Sequence, residues 1–511
     1  MEDKINMQVQ EDLALIKELL GEAENYWHAE SIVSYDRETV CPPDALEEKG
    51  DLMAFLERKA FEIRKSPAYT EALTRLHLAL KEHEESVPEG PDRDMIRLWY
   101  RLMTEDEKVT PEMAEHFSKV SGKAFADWLQ AREKEDYSLF SDSLSALIDE
   151  NRRIAVLKGG EDKDPYDTML DEYERGMDRA QLDEIFGACR ERLVPLIEKV
   201  GKSKKVIRTD FLSRKVTVPA QKEMSEYLLC LIGFDRRRGT IGEVEHPFTD
   251  GFTARDVRIT THYFEDGFGR NISTVMHEGG HALFEQNQPE ISYAYFLRPG
   301  KTTGMHESVS RFYENRIGRS RAFTDLIYPK TAELFPEAMD GVSPEQFYEG
   351  INAAGPSLIR VDADELTYTM HVIIRYEMEK KMIAGQISRD EIPAVWNDLY
   401  EKYLGIRPAN DREGVLQDVH WTRDFGYFPG YALGNIYNAM YYNRMKEDLD
   451  PEAEIRSGDL SRIGNWMKEH VYLKADRQTP KEWIRDITGR DLTPDDFLDY
   501  LEEKYGTLYE I

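Results

Sequence analysis

Apolar residues recur at three- and four-residue spacing from the start of the chain. Leu13, Ile16, Leu20, Ala23 and Trp27 are separated by acids and lysines, which predicts an amphipathic helix. Val40-Cys41-Pro42-Pro43 breaks the pattern, which resumes from about Asp44 to Lys65, and Ser86-Val87-Pro88-Glu89-Gly90-Pro91 predicts the next loop. Thr110-Pro111-Glu112, Ser343-Pro344-Glu345-Gln346, Thr479-Pro480-Lys481-Glu482 and Thr493-Pro494-Asp495-Asp496 all read as helix starts. In each, a hydroxyl can cap free N–H groups, Pro takes the first helical position, and acids face the positive end of the dipole. Helix is therefore expected to dominate both ends.

Strand signals are confined to the middle, at Val206–Thr209, Lys215–Val218 and Asp256–Phe264. In the last run Val257, Ile259, Thr261 and Tyr263 alternate with Asp256, Arg258 and Thr260, so one face is apolar. A small antiparallel sheet is expected just before the helix that follows it. With no internal repeat or linker in view, the expectation is a mainly α fold forming one large domain over 1–511.

Composition narrows the function classes. The 98 acidic against 67 basic residues leave a formal charge of −31, which disfavours nucleic-acid and anionic-membrane partners. Cys41, Cys189 and Cys230 are too few and too scattered for a disulfide framework. The first residues lack the basic and apolar regions of a secretory signal, and no apolar run is long enough to span a bilayer. A soluble, cytoplasmic protein is expected.

The chemistry centres on His277-Glu278-Gly279-Gly280-His281. Residues four apart stack on one helical face, so His277 and His281 can offer two imidazoles to one metal ion, with Glu278 beside them to handle a proton. A third ligand should come from another element. Glu307, 26 residues beyond His281 in a sparsely charged run that ends in Arg311, is the expected one. The paired glycines cost roughly 1 kcal/mol each relative to Ala in a helix interior. Either a close backbone approach or a kink would account for them. His246 and His420 lie in segments where polar and apolar residues alternate closely, and each reads more readily as structural than functional.

Several runs together resemble the thermostable carboxypeptidase Taq family, the M32 metallocarboxypeptidases. They are His246-Pro247-Phe248, Asp256-x-Arg258-x-Thr260, His277-Glu278-x-x-His281, His306-Glu307-Ser308-x-Ser310-Arg311, Ile359-Arg360-x-x-Ala363-Asp364-Glu365 and Gly414-x-x-Gln417-Asp418-x-His420-Trp421. Asp164-Pro165-Tyr166-Asp167 and Gly426-Tyr427-Phe428-Pro429-Gly430-Tyr431 fit as well, in family order. Val309 stands where the family usually has Gln.

The resemblance implies a helical, zincin-like fold with a deep groove, one side of it covered by the N-terminal helical part, about 1–110. It implies removal of single residues, with broad specificity, from peptides with a free C-terminal carboxylate. His277, His281 and Glu307 would hold Zn²⁺, with Co²⁺ or Mn²⁺ also able to fill such a site, and Glu278 would be the general base. Candidates for stabilising the oxyanion are His420, Tyr427 and Tyr431. Those for substrate binding are Arg360, Arg258 and His246; a structural ion pair with Asp364 or Asp256 is the competing role for the two arginines. A homodimer is implied by resemblance alone. Two rivals remain, another helical groove peptidase (an oligoendopeptidase or dipeptidyl carboxypeptidase) and a non-catalytic helical binding protein with a relic metal site.

Overall fold

The apolar stripe of the first segment, Leu13, Ile16, Leu20 and Ala23, is buried along one face of a long helix, α1 (Glu2–Thr39). The structure, a computed structural model, describes residues 2–298, 302–474 and 478–511. Helices α2 (Leu46–Arg64), α3 (Pro67–Glu82) and α4 (Pro91–Asp106) complete an N-terminal group. Val9, Leu13, Ile16, Leu20, Leu73, Leu76, Met95, Ile96 and Trp99 form a hydrophobic cluster there that also takes in Leu297. Trp99 Nε1 donates to the Phe296 carbonyl at 3.0 Å, a second tie to the body.

The body begins with α5 (Pro111–Lys134), α6 (Ser138–Gly159), α7 (Pro165–Tyr173), α8 (Arg179–Lys202) and α9 (Val218–Ile232). Three short strands follow, β1 (Gly239–Glu243), β2 (Thr249–Thr253) and β3 (Asp256–Thr261). After them come α10 (Phe268–Gln286), α11 (Glu290–Ala294) and α12 (Thr303–Arg311), the last continuing as π-helix over Phe312–Gly318. The remainder is α13 (Arg321–Leu334), α14 (Pro344–Ile351), α15 (Tyr368–Ile383), α16 (Ile392–Leu404), α17 (Pro429–Asp448), α18 (Pro451–Ser457), α19 (Ser461–Met467), α20 (Pro480–Thr488) and α21 (Asp495–Tyr509). One hydrophobic cluster runs from Ala124 to Tyr509.

Three of the four expected caps form: Thr110, Ser343 and Thr479 each accept the backbone N–H three residues on. At the fourth, Thr493 accepts instead from Asp495 two residues on, and α21 starts after Pro494 with no side-chain cap. Thr493 therefore makes a hydroxyl turn, not an N-cap.

The sheet lies next to α10 as expected, but it is mixed. Its order is β1-β3-β2, with β2 antiparallel and β1 parallel to β3. β3 lies between β1 and β2, which run in opposite directions, so one neighbour has to run parallel to it. Of the expected strands only β3 forms, ending at Thr261. Val206–Thr209 and Lys215–Thr217 are irregular chain around a single 3₁₀ turn, and Val218 opens α9. Val216 N–H bonds the Glu265 carbonyl, but no ladder forms among the described residues, so β-branching there found no partner strand.

Helix α12 packs against both α10 and α17, and glycines set the separation. A Cβ on Gly280 would lie 2.7 Å from Ser310 Cα and 2.8 Å from the Val309 carbonyl. One on Gly434 of α17 would lie 2.9 Å from Glu307 Cγ. At Gly279 the obstacle is the tip of Ile232, at 2.6 Å from the same added atom. The glycine pair is thus explained by close approach. Gly280→Ala is expected to destabilise the fold by about 1–3 kcal/mol, because the obstacle is backbone. In Gly279→Ala a movable side chain and a helix-propensity gain of about 1 kcal/mol offset each other. Thermal unfolding of the two variants checks this; a Gly280→Ala Tm at or above that of Gly279→Ala would contradict it.

Candidate metal centre and cleft

An open cleft of about 1340 Å³ runs over α10 and α12. Its lining includes His246, Thr249, His277, Glu278, His281, Glu307, Arg360, Tyr427 and Tyr431. On its floor His277 and His281, one turn apart on α10, turn their Nε2 atoms toward Glu307 of α12. Glu307 Oε2 is 3.7 Å from His277 Nε2 and 3.4 Å from His281 Nε2. The three donor atoms lie within 4.8 Å of one another. A tetrahedral ion with bonds of about 2.0–2.2 Å needs donor atoms about 3.3–3.6 Å apart, so the set fits a divalent metal in donor type, and its two carboxylate–imidazole separations lie in or within about 0.1 Å of that range.

The surroundings fix each donor. His277 Nδ1 meets Glu314 Oε2 at 3.0 Å, and His281 Nδ1 meets His306 Nδ1 at 2.6 Å. Arg311 reaches Glu307 Oε1 through Nε at 2.7 Å and Glu314 Oε2 through Nη1 at 3.0 Å, with its guanidinium 4.0 Å from the centre of the Tyr368 ring. Burial alone would raise the Glu307 carboxyl, but Arg311, His277 and His281 outweigh it and hold it well below the usual range. The same contest, won by Arg311 and His277, takes Glu314 down to about 2. Burial would lower His277, yet the facing Glu307 and Glu314 raise it. Glu314 sits in the π-helical segment, a distortion common at functional sites.

Glu278 is 7 % exposed, and its Oε2 accepts from Thr249 Oγ1 at 2.6 Å. Strand β2 thereby holds one oxygen of the carboxylate. His246 is exposed at the cleft wall, on the link between β1 and β2.

Arg360, also on the cleft lining, occupies a single 3₁₀ turn, Arg360–Asp362. Its ion-pair partner is Asp418, at 2.6 Å from Nε, and Nη1 donates to the Tyr368 hydroxyl at 3.1 Å. Asp364, the expected partner, instead accepts the N–H groups of Gly355, Leu366 and Thr367. Asp418 also meets His420 Nδ1 at 2.9 Å, linking His420 to Arg360. Burial lowers His420 even though Asp418 pulls it the other way. His420 lies against Tyr427, Phe428 and Tyr431. Burial raises both tyrosines, Tyr431 well above its ordinary value. This loop is pinned from beneath by Glu379 of α15, which accepts Trp421 Nε1 and Gly426 N–H at 2.9 and 2.8 Å.

Arg258 lies outside the cleft lining. It makes a two-pronged pair with Asp256 at 3.0 and 2.9 Å, between the rings of Tyr35 and Phe252. Sequence reasoning missed Glu314, Thr249 and Glu379. Only Thr249 had a nearby signal, since it follows His246-Pro247-Phe248 directly.

Two imidazoles and a carboxylate at metal spacing, a separate carboxylate beside them, and a long cleft over a helical frame define a metallopeptidase of the helical groove type. The chain matches the carboxypeptidase Taq (M32) metallopeptidase pattern over residues 15–505 and belongs to that family of metallocarboxypeptidases. It is 36% identical over 494 residues to Carboxypeptidase 1 of Bacillus subtilis (strain 168), covering 96% of this chain and 97% of that one. To Thermostable carboxypeptidase 1 of Pyrococcus furiosus it is 32% identical over 499 residues, covering 96% and 98%. The crystal structure of an M32 carboxypeptidase from Deinococcus radiodurans R1 superposes with a TM-score of 0.92 at 32% identity, over 99% of this chain and 100% of that one. No helix among the described residues is long and apolar enough to cross a membrane.

Proposed function

We propose that the protein is a zinc-dependent carboxypeptidase of broad specificity, releasing single residues from the free C-termini of peptides. The observation that carries this reading is the His277–His281–Glu307 triad beside an oriented Glu278, in a cleft whose wall presents Arg360. A divalent ion bound by the triad would acidify a water and polarise the scissile carbonyl; Zn²⁺ is the expected ion, with Co²⁺ or Mn²⁺ as substitutes.

Glu278, held by Thr249, accepts the water's proton and passes it to the leaving amine. Tyr427 and Tyr431 line the cleft and His420 backs them, which makes these three the candidate donors to the tetrahedral oxyanion. Arg360, kept charged by Asp418, reads the substrate carboxylate with the donors that pair leaves over. His246, exposed on the cleft lining, contacts substrate as well. Arg258, through its Asp256 pair and the rings of Tyr35 and Phe252, fixes the α1 side of the groove and so limits substrate length. The reading takes the chain as one domain, with α1–α4 as one wall, working in the cytoplasm as a homodimer on peptides and not on nucleic acid.

The test is a pair of N-blocked peptides, one a free acid and one an amide. Stepwise loss of single C-terminal residues is expected from the acid only. Equal cleavage of the amide would favour an oligoendopeptidase, release of dipeptides a dipeptidyl carboxypeptidase, and cleavage of neither a binding protein with a relic site.

A further inference from the structure

The two histidine ligands are supported differently. His277 Nδ1 faces a carboxylate directly, Glu314 Oε2 at 3.0 Å. His281 Nδ1 faces a second imidazole, His306 Nδ1, at 2.6 Å. His306 Nε2 in turn meets Glu285 Oε1 at 2.8 Å. His306 directly precedes Glu307 on α12, and Glu285 lies one turn beyond His281 on α10, so this chain of contacts links the two helices that carry the triad.

Resting on the metal triad proposed above, we infer that His306 is a positioning residue, relaying the Glu285 carboxylate to His281 and fixing that ligand's tautomer. The proton bookkeeping allows one arrangement. His281 Nε2 turns to Glu307 Oε2 at 3.4 Å and needs its lone pair for the metal, so its proton sits on Nδ1. His306 Nδ1 must then accept that proton's hydrogen bond, which leaves the His306 proton on Nε2, where Glu285 accepts it. Every nitrogen in the row has one role, and reversing any one of them would place two N–H groups, or two lone pairs, face to face at 2.6 Å. The relay lends His281 the basicity that Glu314 gives His277 directly.

The test measures Zn²⁺ dissociation constants by competition with a chelator, alongside apo-protein Tm, for wild type, His306→Phe, His306→Asn and Glu285→Gln. Phe keeps a ring but neither nitrogen, and the Asn oxygen restores an acceptor in place of Nδ1. Expected are a loss of about 10–100-fold in Zn²⁺ affinity for His306→Phe, partial recovery in His306→Asn, and a smaller loss in Glu285→Gln, all with apo Tm close to wild type. Equal affinity in wild type and His306→Phe would overturn the relay alone. So would equal losses in the Phe and Asn variants accompanied by a lowered apo Tm, since that pattern marks simple packing. A wild type that takes up no Zn²⁺ would overturn the triad reading, and the relay with it.

Discussion

Glu278→Gln is expected to keep its metal and lose turnover by about 10²–10⁴-fold, the range for a positioned general base. The amide has nearly the shape of the carboxylate, and its oxygen can still accept the Thr249 hydroxyl that now bonds Oε2 at 2.6 Å. Neither His277 nor His281 depends on Glu278 for orientation; their outer nitrogens face Glu314 and His306. What the amide cannot do is take a proton. The comparison is kcat on a free-acid peptide beside metal content per chain, and near-normal kcat at full metal occupancy would remove Glu278 from the role assigned to it.

Glu307→Ala carries the second large effect, and it falls on binding and stability together. The substitution deletes one of three donors and also leaves Arg311 buried with one carboxylate where it had two. Breaking a buried ion pair by removing one member costs about 3–5 kcal/mol, and the surviving Glu314 contact offsets part of that. Loss of metal on dialysis and a clearly lowered Tm are expected. Elemental analysis and thermal unfolding check both, and full metal content in this variant would reject Glu307 as a ligand.

Much of the candidate donor set is legible in the sequence because its chemistry is written in local spacing. His277 and His281 announce a shared helical face, and Glu307 stands out as an acid in a sparsely charged run followed by Arg311. Long-range partners leave no such mark. Nothing around Glu314 distinguishes it from other acids until π-helical turns and Arg311 bring it to His277. Arg360 was expected to pair, if at all, with Asp364 four residues on; the fold supplies Asp418 from another segment, and Asp364 caps backbone instead. The sheet shows the same limit. Alternation in β3 was visible because one face is buried, whereas β1 and β2 contain Gly239, Gly242, Asp250 and Gly251, residues that disfavour strands and form them here through pairing with β3. The glycine pair on α10 was visible as an anomaly. Its causes, the α12 backbone at Val309 and Ser310 for Gly280 and the Ile232 side chain of α9 for Gly279, can be read only in three dimensions.

Each step of the proposed mechanism rests on a metal held by the triad, and anomalous diffraction at the zinc absorption edge tests that proposal most directly, on crystals of the protein purified with Zn²⁺. A single strong peak is predicted about 2.0–2.2 Å from His277 Nε2, His281 Nε2 and Glu307 Oε2. A well-ordered cleft with no peak there, or a peak held by other side chains, would contradict it.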